Sequence, residues 1–317
     1  GEDYYLAGTT MHSVPGLVVL HSKDLVNWEF SSYCFDRFDD SDDFNLRNGK
    51  EAYGQGIWAP AIRYHNGKFY IFSNINGHGL QVYISDSAKG PWTHHKVNGD
   101  IYDLSVLFDE DGKIYAVHKY GNVTVTELKP DLSGPVEGSS KVVIPEGNAM
   151  GEGHHVYKIN GMYYILSADY SPMGRMQCAR SKSIWGPYET CVISERESYG
   201  YAAGWSVGNM GIGRPLPEDG FSFQNNKPNG LNLGCATIHQ GGIVQAPDGK
   251  WWGVSMQDFN AVGRTVCLSP ITWVDGWPYF GLEKNLGRSP RTWFKPNDMV
   301  KTPQAPYDRC DDFSGKT

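Results

Sequence analysis

An all-β domain built as a five-bladed β-propeller is the fold this sequence predicts, and three observations predict it. A tight turn followed by aromatic residues recurs five times along the chain. A second, outer turn follows most copies. No amphipathic helical stretch of convincing length competes with them.

The first copy is Gly1-Glu-Asp-Tyr-Tyr5, and the second is Asn66-Gly-Lys-Phe-Tyr70. The third is Asp111-Gly-Lys-Ile-Tyr115, the fourth Asn160-Gly-Met-Tyr-Tyr164 and the fifth Asp248-Gly-Lys-Trp-Trp252. Four of them start with Asn-Gly or Asp-Gly, the strongest short-range hairpin signal. The outer turn reads Ser22-Lys-Asp-Leu-Val-Asn-Trp28, Ser85-Asp-Ser-Ala-Lys-Gly-Pro-Trp92 and Ser181-Lys-Ser-Ile-Trp-Gly-Pro-Tyr188. A looser version is Ser269-Pro-Ile-Thr-Trp-Val-Asp-Gly-Trp277. Each unit thus holds about four strands, and units of roughly 45 to 90 residues with that content are propeller blades.

Residues 1–290 are assigned to the propeller and 291–317 to a C-terminal extension, a candidate linker to a further β-sandwich domain. The chain opens in what reads as mid-hairpin, so the first strand of blade one is expected before Gly1. Two insertions interrupt the repeat. One, about Glu195 to Leu233, is rich in Gly, Asn and Pro and reads as a long loop. The other, Asp36 to Glu51, holds Asp39, Asp40, Asp42 and Asp43 and reads as a solvated loop rather than a calcium site.

Composition narrows the function. The chain has 317 residues, 40% of them apolar, enough for a core. Net charge is −7 with no Lys/Arg cluster, which argues against nucleic acid and anionic membrane surfaces as partners. No apolar run is long enough to span a bilayer. A surplus of aromatics, 10 Trp and 19 Tyr, suits the faces of a neutral sugar, although most of them belong to the core. The six cysteines show no metal-type spacing. Cys178 and Cys191 are placed to face each other in one hairpin, either paired or as free thiols.

Inner strands of a propeller start at the central channel, so the residues just before them rim the axis. Nine residues before Gly67, Gly112 and Gly161 stand Trp58, Asp103 and Glu152; ten before Gly249 stands His239. A purely structural repeat has no need of Trp, Asp, Glu and His in register. Glu152 lies between two glycines at a hairpin entry, where backbone and ligand can come close. Alone it reads as a turn carboxylate or a catalytic acid; the register favours the acid. Two carboxylates across a narrow channel are the parts for glycosidic hydrolysis, one protonated to donate to the leaving oxygen. Like-charge crowding and partial desolvation raise one pKa, as that role requires. Trp58 supplies a flat wall for a sugar ring.

The stretches Pro15-Gly-Leu-Val-Val-Leu-His-Ser-Lys-Asp-Leu-Val-Asn-Trp28, Trp58-Ala-Pro-Ala-Ile-Arg63 and Asp103-Leu-Ser-Val-Leu-Phe-Asp-Glu-Asp-Gly112 make the pattern specific. So do Gly151-Glu-Gly-His-His155, His239-Gln-Gly-Gly242, and Gly263-Arg264 ahead of Thr272-Trp-Val-Asp-Gly-Trp-Pro278. In order and spacing the chain resembles glycoside hydrolase family 43, five-bladed propeller enzymes acting on arabinose- and xylose-containing polysaccharides. That resemblance implies Glu152 as general acid and Asp103 as the carboxylate that sets its pKa and orients it. It implies His239 in the channel beside a metal ion, calcium for instance, or water, with no cofactor needed for the chemistry. It implies substrate contacts from Trp58 and Arg264, with His155 as the motif histidine beside the acid. His12 on the loop before Pro15, Trp205 and Gln240 are weaker substrate-binding candidates. The family inverts anomeric configuration, and its general base is an Asp on the first strand of blade one, expected upstream of Gly1. The expected activity is removal of terminal α-L-arabinofuranosyl groups, with β-xylosidase as the close alternative. A non-catalytic carbohydrate-binding propeller is the alternative of a different class. Such polymers lie outside the cell or in a periplasm, which gives the expected location.

Overall fold

The computed structural model describes residues 2–38, 41–148, 150–170, 173–194, 239–258 and 264–287. It is a five-bladed β-propeller. Blade one is β1 (Tyr4–Gly8), β2 (Gly16–Ser22) and β3 (Trp28–Phe35); blade two is β4 (Ala61–His65), β5 (Lys68–Ile75), β6 (Gly79–Ser85) and β7 (Thr93–Val97). Blade three is β8 (Ser105–Phe108), β9 (Ile114–His118), β10 (Val123–Leu128) and β11 (Lys141–Ile144). Blade four is β12 (Glu152–Ile159), β13 (Met162–Tyr170), β14 (Met173–Ser181) and β15 (Glu189–Val192). Blade five is β16 (His239–Gln245), β17 (Trp251–Asp258), β18 (Arg264–Val274) and β19 (Trp277–Phe280). All pairing within blades is antiparallel, in sequence order. By its repeat register, β1 takes the place of β5, β9, β13 and β17, and the first sheet has three strands.

The core is not one mass but five seams, each between neighbouring blades. Leu17, Val19, Ile71 and Tyr83 join blades one and two; Phe72, Val82, Val106 and Ala116 join two and three. Val117, Val125, Val156 and Ile165 join three and four; Leu166, Cys178, Ile243 and Phe280 join four and five. Tyr4 and Leu25 against Ala246 and Trp252 close the ring. Strands buried on both faces explain the continuous β-branched and aromatic runs. Along the axis, Arg63 ties three inner strands together. It donates to the carbonyl of Val106 on β8, to Ser105 Oγ at 2.6 Å, and to Val156 O on β12 at 3.4 Å. Ser105 Oγ also accepts from Val156 N at 3.1 Å. Burial lowers the pKa of this guanidinium, which is satisfied by neutral oxygens.

The repeat turns divide into two kinds. Asn66-Gly67 and Asn160-Gly161 hold both residues at positive φ, as a two-residue type I′ hairpin demands. The Asp-Gly copies are longer: β8 to β9 and β16 to β17 cross five residues each, closed by Asp109 N to Lys113 O and by Ala246 N to Lys250 O. Here Asp111 and Asp248 turn back to accept from the backbone N–H two residues on, at 2.9 and 3.0 Å. The outer turns share one device. Ser22, Ser85 and Ser181 each accept from the backbone N–H of residue i+2 at 3.1 Å.

In the acidic insertion, Asp42 is bridged by Arg47 at 3.7 Å and Lys50 at 3.4 Å, and Asp43 lies 3.2 Å from His78. Asp39 and Asp40 lie outside the described residues. Cys178 and Cys191 are direct cross-strand partners on β14 and β15, and both are free thiols. The Glu195–Leu233 insertion and the 291–317 extension lie outside the described residues.

Candidate active site

The four in-register residues all stand at one end of the inner strands. Trp58 and Asp103 lie in the chain leading into β4 and β8, and Glu152 and His239 open β12 and β16. The backbone there departs from regular β structure. Asp103 and Gln240 both sit at φ 50°, and Gly153 at φ 67°. A bulge follows Glu152 before His155, and another follows His239 before Gly242. Non-glycine residues in the left-handed region carry a cost of roughly 1 kcal/mol or more and persist where surroundings hold them. Bulges of this kind interrupt the strict in-and-out alternation of a strand.

Glu152 is gripped through both carboxylate oxygens. Tyr102 donates its hydroxyl to Oε2 at 2.9 Å, and Gln240 donates Nε2 to Oε1 at 3.2 Å. Gln240 reaches it by lying across Gly153: a Cβ on Gly153 would come within 2.5 Å of Gln240 Cγ. The glycine after Glu152 is therefore required twice, by its φ and by this crossing. Asp103 Oδ2 accepts from Gly153 N at 2.6 Å, so the second carboxylate is tied to the acid through the backbone next to it. Burial raises the Asp103 pKa, and the Gly153 N–H partly offsets this. Burial and the adjacent Glu152 charge push the Tyr102 phenol well above its ordinary range, so it remains a donor.

Two histidines follow the acid and play different parts. His154 is buried, bonded to Ser167 Oγ at 2.5 Å and Lys119 O at 2.6 Å; burial pushes its pKa down to about 4. His155 is set deeper along β12, beside Tyr157 and hard against Gly242, where a Cβ would meet its Nδ1 at 2.8 Å. Burial, then the Arg63 charge and His154, push its pKa down to about 3, so it is a neutral imidazole.

Trp58 is 40% exposed, with its indole N–H held by Asn76 Oδ1 at 2.5 Å. His12 lies on the neighbouring loop, its ring 4.9 Å from that of Tyr53 and its Nδ1 accepting from Gly54 N at 3.4 Å. His239 and Arg264 are placed by the backbone alone, paired with Met256 and Asp258. Their side chains, and the whole of Trp205, lie outside the described residues. Calcium takes six to eight oxygen ligands, and among the described residues no three His, Cys, Asp or Glu side chains cluster to hold a metal.

The structure thus brings Asp103, Glu152 and Gln240 together and sets Trp58 and His12 on the rim. Tyr102 and His154 escaped the sequence reading. Tyr102 had a usable signal, since it directly precedes a residue picked out by the repeat offset. His154 had none, because its role depends on the carbonyl of Lys119, which the sequence places far away.

The sequence profile described as glycosyl hydrolases family 43 matches residues 1–201. The chain is 33% identical over 313 residues to a non-reducing end alpha-L-arabinofuranosidase of Bacteroides ovatus, covering 94% of this chain and 52% of that protein. It is 29% identical over 357 residues to a beta-xylosidase of Formosa agariphila, covering 99% of this chain and 53% of that one. Among solved structures, a bifunctional GH43-CE protein of Bacteroides eggerthii superposes with a TM-score of 0.74 at 33% identity, over 92% of this chain and 34% of that one. The chain spans about half the length of the curated relatives it matches. With the repeat, the five blades and the in-register carboxylates on the same chain, the protein belongs to glycosyl hydrolase family 43.

Proposed function

We propose that this propeller removes terminal α-L-arabinofuranosyl groups from plant cell-wall polysaccharide or its oligosaccharides, with inversion. The observation that carries the reading is the grip on Glu152 at the mouth of the axis by Tyr102 and Gln240, beside the buried Asp103. In the proposed step the terminal sugar sits at the mouth with Trp58 along one side. The Glu152 carboxyl gives its proton to the glycosidic oxygen as the bond from that oxygen to the anomeric carbon breaks. Water adds to the anomeric carbon from the opposite face, and its proton passes to a base. Family likeness places that base on the first strand of blade one. Tyr102 and Gln240 fix the direction of the acid, and Asp103 fixes the backbone that carries it.

A β-xylosidase is the second reading, because relatives of near-equal similarity carry both names. Substrates of either kind are met outside the cell or in a periplasm. The test is turnover of nitrophenyl α-L-arabinofuranoside and nitrophenyl β-xyloside by the full-length protein, with the first product anomer read by NMR. Faster turnover of the arabinofuranoside with inverted product is expected. Faster turnover of the xyloside replaces the first reading with the second. Binding of arabino-oligosaccharide without turnover of either makes the protein a non-catalytic binding propeller.

A further inference from the structure

Seven large aromatic side chains are exposed among the described residues. Phe30 and Tyr33 lie on the outermost strand of blade one, and Tyr64 lies beside the Asn66-Gly67 turn, away from the site. The other four gather at the mouth: Tyr53 (77% exposed), Trp58 (40%), Tyr102 (48%) and Tyr120 (54%). Scattered exposed tyrosines need no explanation, but a concentration around one opening does.

These four side chains stand on pinned backbone. The loop bearing Tyr53 is fixed by Gly56 N to Asn76 Oδ1 at 2.8 Å, the same oxygen that holds the Trp58 indole. It is also fixed by the paired bonds between Met11 and Ile57, at 3.1 and 2.7 Å. The loop bearing Tyr120 is stapled on both sides. Lys119 N donates to Tyr102 O at 3.0 Å, and Gly121 N donates to Gly151 O at 3.0 Å. The carbonyl of Lys119 is held by His154 at 2.6 Å. Tyr120 is therefore anchored to the residue before the acid and, through Tyr102, to the acid itself. Aromatic rings on ordered backbone lose little entropy when a ligand stacks on them.

The acid marks which part of the substrate meets these rings. Its proton goes to the oxygen that joins the terminal sugar to the remainder, so a group touching Glu152 from outside lies on the leaving side. Tyr102 is such a group, and the loop bearing Tyr120 is bonded to its backbone. Accepting the glycosidase reading above, we propose that Tyr53 and Tyr120, on either flank of Trp58 and Tyr102, form a platform for the polysaccharide stem from which the terminal pentose is cut. The preferred substrate is then a polymeric neutral pentosan rather than a short oligosaccharide. An acidic protein with no basic cluster agrees with an uncharged chain on this face.

The test uses full-length protein, wild type and Tyr53→Ala, Tyr120→Ala and the double variant, with folding checked by circular dichroism. Each single variant is expected to raise KM on arabinoxylan roughly 3- to 10-fold while leaving kcat/KM on the nitrophenyl pentosides within about twofold. Electrophoresis through gels containing arabinoxylan reads binding without turnover. Wild type should be retarded there, the double Ala variant should not, and the double Phe variant should be retarded like wild type. Equal KM and equal retardation for wild type and the Ala variants would overturn the platform. So would parallel losses on the nitrophenyl pentosides, since those have no stem to bind. If wild type turned over no pentoside but was retarded, and the double Ala variant was not, the platform would stand and the glycosidase reading would fall.

Discussion

The two ends of the inner hairpins are made from the same strands and obey different rules. At the turn end, Gly67 and Gly161 sit in type I′ turns with open space around them. At the mouth end, Gly153 is crossed by Gln240, Asp103 and Gln240 are held at positive φ, and two of the inner strands bulge. The turn end repeats because every blade needs the same reversal. The mouth end differs from blade to blade because blades three, four and five bring Asp103, Glu152 and Gln240 together there. At the mouth, unlike the turn end, the residues at positive φ are tied to the candidate acid by hydrogen bonds.

That contrast can be broken at several points. The largest effect is expected from Glu152→Gln, which should lower kcat/KM on unactivated oligosaccharides by 10²- to 10⁴-fold, measured by product release. Next come the glycines. Gly153→Ala must strain φ and displace Gln240, and should lower activity more than about tenfold. Gly161→Ala at the turn end should cost about 1 kcal/mol of stability by thermal melting and leave turnover unchanged. If both glycines behave alike, the two ends are not distinct.

A third effect is on stability, and it too sits near the mouth. His118, at the end of β9, and His154 are pushed down to about 4, and His155 to about 3, each chiefly by burial. Folded pKa values below the ordinary 6.5 mean that the unfolded chain takes up protons first as pH falls. Stability is then full above about pH 6.5 and declines between there and pH 3 to 4. Each tenfold difference in proton affinity between the folded and unfolded chain is worth on the order of 1.4 kcal/mol, so the fall should be readily seen. Melting temperature against pH checks this, and a flat profile across that window would contradict it. The smallest effect belongs to Tyr102→Phe. Its hydroxyl donates to the ionised acid, so removing it should make Glu152 easier to keep protonated. The basic limb of the pH–rate profile should move up by a few tenths of a pH unit to about one, with KM on nitrophenyl substrates little changed.

Much of this was legible in the sequence, for physical reasons. Four of the five aromatic turns were readable because Asn-Gly and Asp-Gly pairs favour a chain reversal whatever the tertiary context. The offset places Trp58, Asp103, Glu152 and His239 at one end of the inner strands because the stretch from mouth to turn keeps a nearly constant length, although the strands themselves run from four to eight residues. What the sequence could not show depends on contacts between blades. The crossing of Gly153 by Gln240 joins blades four and five, and the Tyr102–Glu152 bond joins three and four. The division of labour between His154 and His155 follows from one facing Lys119 and the other Arg63. The Asp-Gly turns also proved longer than the Asn-Gly ones, because Asp tends to turn back onto the backbone N–H two residues on, whereas Asn adopts positive φ.

The central claim is that Glu152 donates a proton to the leaving oxygen, and its dependence on the leaving group tests this most directly. Wild type and Glu152→Gln would be compared on aryl α-L-arabinofuranosides or β-xylosides, whichever wild type turns over, with phenols of decreasing pKa. The wild-type advantage should be 10²-fold or more for a poor leaving group and should shrink toward unity for dinitrophenol, which departs without a proton. An equal loss across the whole series, or none at all, would contradict it.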